Sequence, residues 1–133
     1  MSQENVDTIR ELHAAFNRGD HEAALSMLAE DVEWHAPGAV ALGAEVNRDR
    51  DAVQREFTRW LGAWESYRFE ITEITDLGDQ VYLAGNQMVR GRGSGVEVTV
   101  PTFHLFTLRD GRVSRMSAFE SREAALEAAG RTD

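Results

Sequence analysis

The chain has 133 residues, 42% of them hydrophobic, with two prolines, no cysteine and a formal charge of −9. That is the size of one ordinary domain (1–133), able to bury a core without staples, and the lack of cysteine rules out a disulfide framework and thiolate chemistry. The negative charge repels phosphate backbones and anionic lipid, and no run of about 18 apolar residues is present to span a bilayer, so neither nucleic acid nor membrane is an expected partner.

The N-terminal stretch starts acidic and becomes amphipathic. It lacks the basic head and apolar run of a secretory signal, so a cytoplasmic location is expected. Ser2 to Arg18 reads as a helix: Val6, Ile9, Leu12 or His13, and Phe16 recur at three- and four-residue steps, and Gly19 supplies the stop. Asp20 then caps a second helix, His21 to Glu30, with Ala24, Leu25 and Leu28 inward. Asp31 to Ala36 alternates for one short strand, ended by Pro37-Gly38, and a loop covers Ala39 to Arg48. A third helix is expected from Asp51 to Trp64, presenting Val53, Phe57, Trp60, Leu61 and Trp64 on one face.

From Tyr67 onward four strands follow: Tyr67 to Thr75, Val81 to Arg90, Val96 to Leu108 and Arg112 to Phe119. The turns between them carry glycine and read as hairpins. Ser121 caps a last helix, Arg122 to Ala129, which Gly130 ends. Helices first and hairpins later are the order of an α+β fold, with three helices on one face of a twisted antiparallel sheet.

Several pieces in this order resemble the nuclear-transport-factor-like superfamily, nearest to its SnoaL-like polyketide cyclase and ketosteroid isomerase branch. They are Phe16-Asn17-Arg18-Gly19-Asp20, Leu28 to Trp34, Arg50-Asp51-Ala52-Val53, and Phe106 to Val113, with the tail Phe119 to Ala124. The usual form has glycine where this chain has Asp49. The resemblance implies a cystatin-like cone with a deep pocket between helices and sheet, no cofactor, and a homodimer joined through the outer sheet face. Its members include isomerases, cyclases and proteins that only bind, so the fold leaves the activity open.

The isomerase members place a carboxylate base before the proline that ends the first strand, and an oxyanion hole made of a tyrosine on helix one and a protonated acid in the sheet. Carried over, these positions fall on Ala36, Leu12 and His104. Two of the three are apolar, which argues against ketosteroid isomerase chemistry by that route. His104 is the expected catalytic residue: it shares a strand face with Thr102, Phe106 and Leu108, and a histidine titrates near neutrality. Its alternative is a buried structural imidazole. Glu120 shares parity with Met116 and Ala118 and is the candidate to orient His104, its alternative being a solvated strand-end carboxylate.

Asn86 is a possible polar helper, and Arg90 reads as a surface arginine. His35 should face away from Trp34, toward a dimer contact; His21 should be exposed, and His13 either interior or at the edge of the stripe. Four histidines without HxH or HxxxH spacing give no metal site. Phe16, Trp34, Phe57, Trp60, Trp64, Phe106 and Met116 are expected to line a cleft for an apolar, polycyclic or polyketide-like ligand. Two readings stay open: a cofactor-independent isomerase, cyclase or lyase, or a ligand-binding or dimerisation domain without chemistry.

Overall fold

A computed structural model describes residues 2–35 and 46–130 of the chain. The first helix, α1 (Ser2–Asn17), ends in a glycine-based cap. Gly19 turns left-handed (φ 78°), its N–H donates to Phe16 O (3.0 Å) and that of Asp20 to Ala15 O (2.9 Å). Only a residue tolerant of positive φ closes such a cap cheaply. Asp20 Oδ1 then accepts from Ala23 N (3.1 Å) to start α2 (His21–Ser26).

This second helix is shorter than the expected His21 to Glu30. Val113 N–H captures the Met27 carbonyl (2.9 Å) and Leu28 pairs with Val113, so the backbone there satisfies itself in the sheet. Strand β1 therefore runs over Leu28–His35. A three-residue strand, β2 (Val46–Arg48), occupies part of the expected loop and pairs antiparallel with β1.

Helix α3 spans Arg50–Gly62. Asp49 precedes it at φ 73°, an uncommon conformation for a residue with a Cβ, and its Oδ1 accepts from Ala52 N (2.8 Å). Aspartate thus replaces the usual glycine by trading backbone strain for a cap. Trp64 begins β3 (Trp64–Asp76) instead of ending the helix as the apolar stripe suggested. β4 (Gln80–Gly91), β5 (Glu97–Arg109), β6 (Arg112–Phe119) and α4 (Arg122–Ala128) complete the chain. Asp110 and Gly111, both at positive φ, make the tight turn from β5 to β6.

The sheet order is β2-β1-β6-β5-β4-β3. Every pair is antiparallel except β1 with β6, which is parallel; β1 reaches β6 only through the long excursion between them. The α+β class and the curved sheet under helices are as expected.

Register assigns the two faces. Val81, Leu83, Gly85 and Val89 of β4 point inward beside Phe106 and Leu108 of β5, and α1, α2 and α3 close over them through Ile9, Leu12, Ala24 and Val53. Fully buried side chains such as Phe106 and Ile9 are each worth about 1.5–3 kcal/mol relative to exposure. On the other face Tyr82, Ala84 and Leu105 pack under Ala125 and Leu126 of α4. The short last helix therefore covers part of the outer face. No helix among the described residues is long and apolar enough to cross a membrane.

Candidate functional site

Strand β5 carries His104 at its middle, opposite Leu83 of β4 and Ala118 of β6. Alternation places the imidazole on the inner face, edge-on to Phe106 (centroids 5.8 Å apart) and stacked over Phe69 at 6.4 Å. Its Nδ1 is buried with no hydrogen-bond partner among the described residues. The residue as a whole is half-buried. Burial pushes its pKa down to about 3, and the neighbouring His13 adds to this.

His13 reaches the same place from α1. It is buried, its ring tilted over Phe69 (4.6 Å) and edge-on to Phe106 (5.9 Å). Its Nδ1 lies 2.9 Å from Ile9 O. A carbonyl only accepts, so the partner assigns the proton to Nδ1 and leaves Nε2 as the lone pair. Burial lowers its pKa to about 4, partly opposed by the Ile9 bond. Both rings are neutral at pH 7.

Phe69 is held over this spot from both sides. Asn17 donates to its carbonyl (2.9 Å) and accepts from its N–H (2.8 Å). Beneath it lies Gly85, where a Cβ would sit 2.6 Å from Phe69 Cε1 and 2.2 Å from Glu70 O. Gln87, opposite Phe69, shares the inner face and has a buried Oε1 without a partner among the described residues. Thr102, also inward, spends its hydroxyl on Val100 O (3.1 Å). Burial pushes the phenol of Tyr67 well up.

Of the expected ligand-lining residues, Phe16, Phe57, Trp34 and Phe106 form one aromatic wall, with successive centroids 5.0, 4.9 and 6.3 Å apart. Phe106 and Met116 are fully buried and belong to the core, where they face no cavity among the described residues. Trp64 meets this wall at Phe16: with Phe16, Tyr67, Leu61 and Arg92 it lines an open cavity of about 260 Å³ between the end of α1 and the start of β3. The Trp60 side chain and Ala36, where the isomerase base would fall, lie outside the described residues.

Glu120 stands beyond the end of β6, exposed, and makes no hydrogen bond to His104 among the described residues. It does not orient the ring, because the strand has already ended and turned toward Ser121. Asn86 shares the outer parity of Tyr82 and Ala84, so Gln87, not Asn86, is the amide on the face of His104. Leu12 is core. Arg90 pairs with Glu97 across the hairpin, an exposed ion pair as expected for a surface arginine. His35 bonds Glu33 (3.0 Å). His21 is exposed, touching Phe16. Among the described residues no three His, Cys, Asp or Glu side chains gather as a metal site.

The sequence pointed to His104 but left His13 undecided. The signal was the step after Ile9, which fits Leu12 and His13 equally; the structure buries both.

The family model of the SnoaL-like domain matches residues 9–116, which include both histidines. The chain belongs to the SnoaL-like domain family. No curated protein matches it. Among solved structures, this SnoaL-like domain is similar to TerC co-crystallised with polyporic acid, at 25% identity over 93% of this chain and 96% of that one, TM-score 0.79. A putative polyketide cyclase from Sinorhizobium meliloti is 26% identical over 85% and 94% of the two chains, TM-score 0.67. Bal32a, from a soil-derived mobile gene cassette, shares the fold at 22% identity over 96% of each chain, TM-score 0.80.

Proposed function

We propose that this SnoaL-like domain encloses an apolar cyclic or polyketide-like small molecule between its helices and inner sheet face. There it acts as a cofactor-independent isomerase, cyclase or lyase with His104 as the proton-handling group. The observation that carries this reading is the buried Nδ1 of His104, unpartnered among the described residues and set between Phe69 and Phe106. An orphaned polar atom at that depth costs about 1–3 kcal/mol, which a ligand carbonyl or hydroxyl would recover.

A neutral imidazole offers one N–H and one lone pair. In an apolar recess its N–H is a strong partner for oxygen that gains negative charge as a carbonyl enolises. The co-crystal of TerC with polyporic acid supports a small organic ligand in this fold. Turnover of cyclic ketone and polyketide-type substrates by wild type and His104→Ala tests the mechanism; loss of turnover in the variant is expected, and equal rates exclude it.

The second reading is binding without chemistry, favoured by Leu12, an apolar core residue where the isomerases place their tyrosine. A ligand that binds tightly and is recovered unchanged decides for it. A cytoplasmic location and a homodimer through the outer sheet beyond α4 belong to either reading; the dimer is checked by light scattering.

A further inference from the structure

His13 is oriented by its own helix and shares its ring neighbours with His104. Its Nδ1 bonds Ile9 O, a carbonyl within α1 that the helix's own bond from four residues on already fills. The side-chain bond is therefore not needed to satisfy that carbonyl; what it fixes is the ring and its tautomer. The lone pair at Nε2 has no hydrogen-bond partner among the described residues, and the ring shares Phe69 and Phe106 with His104. Among the described residues no carbonyl or carboxylate bonds His104 to fix its tautomer, so it can present an N–H.

We infer that His13 is the second working residue of this recess, and that the pair takes a neutral, enolisable carbonyl compound or its enol or phenol, His13 Nε2 accepting the proton while the His104 N–H holds the oxygen. This rests on the proposed pocket at His104. In the step, the C–H bond beside the carbonyl breaks and its proton goes to His13 Nε2. The electron pair becomes the enolate double bond, with charge on the oxygen held by His104. Where a second double bond is conjugated to the carbonyl or one carbon further on, return of the proton from His13 to the far carbon of the dienolate completes an isomerisation and restores both neutral rings, so no oxidant or other co-reactant enters. Two adjacent imidazoles cannot both be charged cheaply, so the site takes up one added proton at a time.

The test uses the whole chain with ¹⁵N-labelled histidine, titrated with 2-naphthol and, separately, with naphthalene. With 2-naphthol the ring-nitrogen resonances of both His13 and His104 should move, and it should bind roughly tenfold tighter than naphthalene, the worth of one buried hydrogen bond. In His13→Phe that preference should collapse. Should this variant fail to fold, the wild-type resonances decide alone. If 2-naphthol moves His104 but leaves His13 unchanged, the role of His13 falls and the pocket reading stands. If it moves neither ring, or does not bind, both fall.

Discussion

Replacing His104 by leucine should make the protein more stable while removing the proposed activity. The substitution deletes a buried nitrogen without a partner, worth about 1–3 kcal/mol, and puts a similarly sized apolar side chain against Phe69 and Phe106. Allowing for imperfect fit of a branched chain where a flat ring stacked, a net gain of about 1–2 kcal/mol is expected at pH 7.5. At roughly 3 °C per kcal/mol for a chain of this size, Tm rises by about 3–6 °C. The gap should widen in acid. The folded pKa of His104 is depressed to about 3 from 6.5, so between these values the unfolded chain binds a proton that the folded chain refuses. The stability that a neutral ring permits is whole above pH 6.5 and falls as pH drops toward 3; at pH 5 the loss is about 2 kcal/mol. Leucine removes that loss. Urea unfolding at pH 7.5 and 5.0 measures both effects, with the m-value as a check on the unfolded state. A leucine variant less stable than wild type by more than about 1 kcal/mol at pH 7.5, or one with an unchanged pH dependence, would refute the reasoning.

Gly85→Ala should cost about 3 kcal/mol, because its Cβ would meet the Glu70 carbonyl, which cannot yield without breaking the β3–β4 pairing; the midpoint in urea and the near-ultraviolet circular dichroism report the cost and the displaced Phe69 ring. Asn17→Ala should lose about 2 kcal/mol in the same assay, since it strips partners from both backbone groups of Phe69. At Asp49, glycine should be within about 0.5 kcal/mol of wild type, since relief of the positive φ offsets the lost cap, whereas alanine should cost about 1–2 kcal/mol by losing the cap and keeping the strain. Thermal unfolding of the two variants side by side separates these outcomes.

Much of the candidate site was legible because its signals are local. His104 alternates with Phe106 and Leu108 on one strand, and that parity needs no knowledge of neighbours. The cap at Gly19, the turn at Asp110-Gly111 and the Ser121 cap of α4 are likewise written in consecutive residues. Other features were not. On β4, residues Val81 to Gly85 are buried on both faces, by α1 on one side and α4 on the other, so the alternation that would tell Asn86 from Gln87 is erased. The orientation of Glu120 also failed from parity alone, because the strand ends one residue earlier.

Composition and periodicity were thus enough for the fold class, the order of every element but the short β2, and the strand face that His104 shares with Phe106, since each depends on interactions within one segment. Tertiary structure decided the roll of α1 that brings His13 beside His104, the early end of α2 at Met27, and the side of the sheet that α4 covers. Each of these is set by burial against a segment distant in the chain, where a three- or four-residue step fits two neighbouring residues equally well until a partner surface selects one.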